Sequence, residues 1–306
     1  MGIAPAMVKL LMREGNREAY SGDALTIGRQ GIHLKTTQDL QKLAEQMKFQ
    51  LKSNIILSIP NGIIKNSNYI ADTILFLSLG FDSIDSLDIS DYEQCTVMQD
   101  LNIDVPAELY NKYDLIVDGG SSEHIFNLPK VLENYNRMLK VGGRLIHALP
   151  SSNHVDHGFY MFSPNLFWEY YSANNWEIID SLFFRYNIKN IKELWDVYSY
   201  IPGCLEGLSS GGFTEGQYGI YFVVKKTFQS TYNASVQQGS YLEISKDASN
   251  SENIKLESPI SWKKKIYLFF PKFLQPIIFS LYYYALSKFP MRFQLQAIGL
   301  KRIGRY

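Results

Sequence analysis

The stretch YDLIVDGG, residues 113–120, decides the fold, because a β-branched, apolar run stops abruptly there at an aspartate and two glycines. Such a run predicts a buried β-strand. A helical pattern follows at 127–139, and a glycine turn then leads into RLIHALP, residues 144–150, which predicts another strand. Strand, helix and strand at this spacing form a βαβ unit, which predicts a parallel sheet with right-handed crossovers.

Comparable patterns extend outward on both sides of this unit. Strand patterns occur at 24–28, 83–90, 96–101, 176–186 and 216–226. Helical patterns cover 37–52, 68–79, 163–175 and 190–200, and a glycine-rich loop is expected at 203–216. The alternation of the two patterns predicts one large α/β domain.

Composition narrows the class of function. The chain has 306 residues, and its 30 basic residues balance 30 acidic ones. Proteins that bind nucleic acid normally carry a basic excess, so a nucleic-acid partner is not expected. The two cysteines match no metal or disulfide pattern, and the first residues lack the features of a secretion signal. A cytoplasmic location is therefore expected.

Four segments of the chain carry a family resemblance: ALTIGRQ (24–30), DSLDIS (85–90), YDLIVDGGSSEHIFN (113–127) and LKVGGRLIHALPSSNHVDHGFYMFSP (139–164). They resemble the class I S-adenosylmethionine-dependent methyltransferases, in particular a bacterial branch associated with surface-glycan biosynthesis. The resemblance implies a Rossmann-like, doubly wound, mostly parallel seven-stranded sheet. We expect this domain to span 1–227, with insertions at about 31–75 and 187–215.

The same resemblance implies S-adenosylmethionine as the cofactor. Ligands of doubly wound sheets bind outside the carboxyl ends of the strands, where the strand order reverses. Asp88 is expected to bind the ribose hydroxyls, Asp100 to lie beside the adenine, and Asp118 to lie near the methionine part. The full set of expected cofactor-binding residues is Gly28, Arg29, Gln30, Asp88, Ile89, Asp100, Leu101, Asp118, Gly119 and Gly120.

One departure from the family pattern concerns the loop after the first strand. The family has three closely spaced glycines there, whereas this chain has Gly28-Arg29-Gln30-Gly31. The second strand also arrives about fifty residues later, so the insertion is expected to form a lid or a wall of the substrate site. An alternative function follows from this departure: a non-catalytic, methyltransferase-like module that acts as a membrane-associated partner in a polysaccharide biosynthesis complex.

Histidines supply the candidate catalytic groups. Four of the five histidines lie between residues 124 and 157, at or just beyond predicted strand ends. Histidine suits general base catalysis near neutral pH, and a hydroxyl acceptor must lose its proton. His124, His154 and His157 are therefore the predicted catalytic residues, whereas His147 lies within a strand pattern and is expected in the core. The predicted reaction is O-methylation of a sugar or glycan precursor.

A metal site is the competing interpretation of this region. Nitrogen and oxygen ligands for a divalent ion are available from Glu123, His124, His154, Asp156 and His157. Their spacing matches no metal-binding signature, so the sequence predicts no metal site.

The C-terminal part of the chain differs in kind. A polar linker is predicted at 228–258, followed at 259–306 by a helical tail rich in aromatic residues. The basic, apolar and interrupted stretch at 262–289 suits the surface of a membrane rather than a span across it. Peripheral attachment to the inner membrane is thus expected, with packing on the domain or a homodimer contact as alternatives.

Overall fold

The computed structural model describes residues 2–52, 69–187, 194–208, 213, 216–239, 270–271, 274–287 and 300–306. Several predictions lie outside these residues. They concern the middle of the insertion at 31–75, the start of the helix at 190–200, part of the glycine-rich loop, most of the polar linker and most of the tail.

The strands are β1 (Gly2–Ile3), β2 (Asp23–Ile27), β3 (Gly31–Ile32), β4 (Ile70–Ala71), β5 (Ser83–Asp88), β6 (Val97–Met98), β7 (Tyr113–Asp118), β8 (Leu139–Pro150), β9 (Glu177–Tyr186), β10 (Asp196–Ser199), β11 (Gln217–Lys225) and β12 (Arg302–Arg305). The α-helices are α1 (Pro5–Arg17), α2 (Thr37–Met47), α3 (Asp72–Leu79), α4 (Leu128–Met138), α5 (Pro164–Ala173) and α6 (Gln275–Ser287). Short 3-10 helices lie at Ala107–Leu109, Ser122–His124 and Glu206–Leu208.

The central sheet has nine strands among the described residues, in the order β12-β10-β9-β11-β8-β7-β2-β5-β6. Five neighbouring strands run parallel to one another: β8, β7, β2, β5 and β6. β11 runs antiparallel to both of its neighbours, β8 and β9. Sequential strands thus build outward from β2 in both directions, as in doubly wound folds. The predicted Rossmann-like α/β fold of the class I methyltransferase type is confirmed.

Two cores lie on opposite faces of this sheet, which explains the continuous apolar run in β7. Successive side chains of a strand point to opposite faces. Ile116 packs with residues of α4 and α5, whereas Leu115 and Val117 pack with residues of α1 and α3. Both faces of β7 are therefore buried, as expected of a central strand in a parallel sheet.

The strand count corrects the sequence prediction of seven. β10 lies inside the segment predicted as a helix at 190–200, so that prediction is wrong for Asp196–Ser199. Trp195 stacks on Phe184 of β9 with ring centroids 4.1 Å apart, and the β-branched and aromatic residues that follow favour a strand against this neighbour. β12 pairs with β10. Residues 302–305, which the sequence assigns to a helical tail, are therefore part of the central sheet.

Helix α1 is an element that the sequence analysis did not identify. Eight of its residues are buried against the domain. They include Glu14, whose carboxylate lies 3.1 Å from the Arg144 guanidinium of β8. A buried charge needs such a partner, so this pair anchors α1 to the sheet.

The described residues of the insertion after β2 form a small substructure beside α1, which we call the annex. β3 pairs with β1 and with β4 in a three-stranded sheet among the described residues. Thr36 starts α2 with a capping box, because its side chain accepts from the Asp39 backbone N–H while Asp39 accepts from that of Thr36. The predicted helices at 37–52 and 68–79 are thus present but shorter, and the role of the annex as a lid or wall stays a prediction.

The start of the predicted linker packs on the domain. Trp176 donates a hydrogen bond from Nε1 to the Thr231 carbonyl at 3.0 Å, and Gly239 donates from its backbone to Glu169 of α5 at 2.9 Å.

Within the part of the chain that the structure describes, no helix combines the length and apolar character that crossing a bilayer requires.

Leu300→Ala tests whether the end of the chain belongs to the core. Leu300 is buried in the same cluster as the residues of α4 and α5, so its truncation should lower the free energy of unfolding by about 2–5 kcal/mol. Leu281→Ala, at an exposed position of α6, should change it by no more than about 0.5 kcal/mol. Urea denaturation measures both, and equal effects would contradict the burial of Leu300.

Candidate active site

Four strands end side by side at one edge of the sheet. Ile27 is in register with Leu87 on one side and with Asp118 on the other, and Asp88 is in register with Met98. The loops after β2, β5, β6 and β7 therefore share this edge, which we call the carboxyl edge. It carries every residue that the sequence predicts to bind the cofactor.

The loop after β2 is bonded to Asp72, a residue that the sequence analysis did not identify. Asp72, wholly buried at the start of α3, lies 3.1 Å from the Arg29 guanidinium and accepts the Gln30 backbone N–H at 3.3 Å. Gly28 has a φ of 74°, which favours glycine, and its N–H donates to the Leu87 carbonyl at 2.7 Å. Arg29 and Gln30 thus fix the loop, and only a structure could reveal this use of Asp72.

Gln30 leaves one polar atom without a partner. Its side chain is buried and donates from Nε2 to the Ile27 carbonyl at 3.0 Å. Among the described residues its Oε1 has no hydrogen-bond donor, and it lies beside Gly119 at the end of β7. Buried acceptors are normally satisfied, so this atom is suited to a donor supplied by a ligand.

The ends of β5 and β6 combine carboxylates with exposed apolar side chains. Asp88 is half-buried and accepts the Ser90 backbone N–H at 3.3 Å. Ile89 beside it is 65% exposed, although its side chain is aliphatic. Asp100 accepts from the backbone and the side chain of Asn102, at 2.8 and 2.9 Å, while Leu101 is buried beneath.

Asp118 differs from the other predicted ligands, because its carboxylate is wholly buried and bonded within the protein. It accepts the backbone N–H groups of Ser121 and Ser122, both at 3.2 Å, as well as the Ser122 hydroxyl. His147 lies 3.2 Å away through Nδ1 and reaches the Tyr171 hydroxyl through Nε2 at 2.6 Å. Asp118 therefore positions the turn after β7 from inside, and His147 is the core residue that the sequence predicted.

The pKa of Asp118 reflects this environment. Burial alone would raise the pKa of the carboxyl, but the hydrogen bond and charge of His147, with the hydrogen bonds from Ser122, hold it below its ordinary value. The carboxylate is consequently charged at neutral pH and bound to the turn that begins at Ser121.

The turn after β7 carries Glu123 and His124, which belong to a second group of polar residues. Glu123 is 1% exposed, and its Oε1 lies 3.8 Å from Nε2 of His124 and 3.6 Å from Nε2 of His157. Burial and the negative charge of Asp118 raise the pKa of Glu123 to about 8. His157 comes from the loop after β8, so residues 34 positions apart in the chain meet here.

His154 lies behind this group. Its Nε2 is 3.2 Å from the Tyr186 hydroxyl, and its ring centroid is 5.6 Å from that of His157. Burial, with the charge of His157, lowers the pKa of His154, and burial has the same effect on His124. The structure thus brings the three predicted catalytic histidines together, with His154 largely buried and the other two at the surface.

A cleft of about 830 Å³ lies beyond the end of β8, and none of the three histidines lines it. Ser151 and Ser152 line it directly after β8, and Met161 joins it to the histidines by accepting the His154 backbone N–H through sulfur at 3.3 Å. Aromatic and polar side chains cover its walls, among them Phe162, Asn165, Glu169, Phe183 and Tyr200. Its volume lies within the range of small-molecule sites.

No protein-family model matches the chain, and no match was found among curated proteins. Solved structures resemble it at low similarity. TehB from Haemophilus influenzae is 14% identical, with a TM-score of 0.36, over 71% of this chain and 62% of TehB. This chain therefore spans less than two thirds of TehB.

Two further solved structures are methyltransferases. The 1,6-didemethyltoxoflavin-N1-methyltransferase from Burkholderia thailandensis, with substrate and S-adenosylhomocysteine bound, is 11% identical, with a TM-score of 0.35, over 73% of this chain and 78% of its own. A geranyl diphosphate methyltransferase in complex with S-adenosylmethionine is 10% identical, with a TM-score of 0.39, over 73% and 85%. The fold assignment rests on the strand order of the chain itself.

Asp118→Asn should lower the free energy of unfolding by about 3 kcal/mol at neutral pH, because it removes a buried charge from its donors. The folded-state pKa of Asp118 is depressed. Its stabilisation is therefore present above the unfolded value of about 3.9 and disappears as the pH falls through the folded value. Urea denaturation between neutral and acidic pH measures this. Asp91→Asn, at an exposed site, is the control, and a pH-independent difference would contradict the assignment.

Proposed function

We propose that this protein transfers a methyl group from S-adenosylmethionine to a hydroxyl of a small-molecule or glycan acceptor. The observation that carries the proposal is the juxtaposition at the carboxyl edge. Gly28, Asp88 and Asp100 lie on one side of β7, and Glu123 with its histidines lies directly beyond it. Doubly wound sheets bind their ligands at this edge.

The residues at the edge fit an adenosyl cofactor. The half-buried carboxylate of Asp88 can accept hydrogen bonds from ribose hydroxyls, and the exposed side chain of Ile89 offers apolar contact to a flat ring. The unpaired Oε1 of Gln30 beside Gly119 can accept from the ammonium group of the methionine part. This fit supports the cofactor assignment independently of sequence similarity.

The acceptor would enter through the cleft beyond the end of β8. Aromatic walls and polar groups such as Asn165 and Glu169 suit a ligand with both ring faces and hydroxyls, which supports a sugar or glycan precursor. The bound cofactor supplies an activated methyl group on a sulfonium. An acceptor hydroxyl must lose its proton when it is methylated, and His124 or His157 would receive this proton directly or through water.

The role of the protein in this reaction is mainly to hold the two reactants. Correct positioning alone can lower the barrier by about 7–11 kcal/mol. Asp118 serves this purpose, because its hydrogen bonds fix the turn between the two halves of the site. Among the predicted catalytic residues, His124 and His157 are accessible to an acceptor, whereas His154 is suited to supporting His157.

Binding of S-adenosylhomocysteine tests the proposal. Calorimetry should show binding to the native chain, and Asp88→Asn should weaken it about tenfold or more, because a charged acceptor of hydrogen bonds is lost. Asp82→Asn, next to the opposite end of β5, is the matched control and should bind normally. Absence of binding to the native chain at millimolar ligand would sink the proposal.

A second candidate function is the non-catalytic module in a polysaccharide biosynthesis complex. It is favoured by the engagement of Arg29 and Gln30 with Asp72, since these loop residues are occupied within the protein. The same calorimetric experiment separates the two functions, because a module without cofactor would not bind S-adenosylhomocysteine.

The exposed side of α6 supports peripheral contact with the inner membrane from the cytoplasm, through the segment 262–289. Ile277, Leu281 and Tyr284 are 55%, 61% and 63% exposed, and their spacing puts them on one side of the helix. Apolar and aromatic residues on one helix face suit the boundary between headgroups and acyl chains.

Replacing Ile277, Leu281 and Tyr284 together by glutamate should abolish flotation of the protein with vesicles that contain anionic lipid. The control replaces Tyr92 and Phe228, which are even more exposed but lie outside the tail, by glutamate, and it should float as the native chain does. Unchanged flotation of the α6 variant would contradict membrane contact. Loss of a dimer in sedimentation would instead assign this helix to a homodimer interface.

A further inference from the structure

Glu123 and His124 of the turn after β7 lie together with His157 of the loop after β8. We propose that these three residues bind one divalent transition-metal ion. The sequence predicted no metal, because the ligands belong to two different loops and their spacing matches no signature.

The first support is geometric. One ligand atom from each residue can be chosen so that all three lie within 4.8 Å of one another. Oε1 of Glu123 faces Nε2 of both histidines, at 3.8 and 3.6 Å. Metal–ligand bonds of about 2.0–2.2 Å require only a small approach of the imidazoles. The side chains of His124 and His157 are 40% and 47% exposed, so each has room to rotate.

The second support is an unpaired atom. The side chain of Glu123 is only 1% exposed, yet its Oε2 has no hydrogen-bond partner among the described residues. A buried carboxylate oxygen is costly unless something compensates it. No lysine or arginine forms an ion pair with Glu123 in the part of the chain that the structure describes. A cation bound by Oε1 and the two imidazoles would compensate the charge of the whole carboxylate, which both oxygens share.

The backbone joins the two loops before any ion binds. The Glu123 carbonyl accepts the N–H groups of Phe159 and Tyr160, at 2.7 and 3.2 Å. A Cβ on Gly158 would lie only 2.8 Å from that carbonyl oxygen, so glycine is required for this close approach. Since Asp118 fixes the other end of the turn, hydrogen bonds hold the backbone that carries the three ligands, and only the imidazoles need to rotate.

The donor set indicates the kind of ion. Two imidazoles and one carboxylate suit Mn²⁺, Fe²⁺, Co²⁺, Ni²⁺ or Zn²⁺, whereas Mg²⁺ and Ca²⁺ prefer oxygen ligands. Because both histidines face solvent, the ion keeps coordination positions for water or another ligand, as catalytic metals do. Within the proposed function, on which this last step rests, an acceptor hydroxyl bound there would lose its proton to water more readily.

Titration of the metal-free, untagged full chain tests the site in the absence of any cofactor. MnCl₂ followed by electron paramagnetic resonance, and ZnCl₂ followed by calorimetry, should each show one bound ion per chain at micromolar affinity. Glu123→Gln and His157→Ala should each weaken binding by at least about tenfold. His157→Ala affects a half-exposed residue, so it remains informative if the buried variant does not fold.

Asp91→Asn is the control, because it changes an exposed carboxylate outside the two loops that supply the ligands. It should bind both ions as the native chain does. Absence of binding at millimolar metal, or native affinity in both ligand variants, would overturn the proposal. Binding of S-adenosylhomocysteine is measured separately, so failure of the metal site and failure of the methyltransferase proposal are distinguishable.

Discussion

The buried carboxylate of Asp118 is the constraint on which the site depends. A buried charge is tolerated only where hydrogen bonds within the protein replace those to water. Asp118 is bonded to two backbone N–H groups, the Ser122 hydroxyl and His147. The same bonds shape the turn after β7. Stability and site geometry are therefore coupled, because any change that releases Asp118 also releases the turn that carries Glu123.

The two sides of the site are connected through the end of β2. Gly28 donates to the Leu87 carbonyl of β5, and the Ser121 hydroxyl donates to the Ile27 carbonyl at 2.6 Å. The loop expected to contact the cofactor and the turn beside the acceptor cleft thus share one strand end. Their relative position is set by short hydrogen bonds rather than by the longer surface loops.

The sequence was sufficient for the central fold, since a strand such as β7 that is buried on both faces has an unmistakable apolar run. It was insufficient where tertiary contacts decide. The stack of Trp195 on Phe184 makes a strand of a segment that was predicted as helix, and β12 is defined only by its pairing. Likewise, no local pattern relates Glu123 to His157, because their contact depends on how two loops pack.

The contacts at Gly239 and Leu300 change how the segment between them can work. Gly239 is bonded to α5, and Leu300 is buried in the core, so the residues on either side of this segment are both fixed to the domain. If α6 makes the proposed membrane contact, it is joined to the domain through two attached points of the chain, Gly239 before it and Leu300 after it, and not through one.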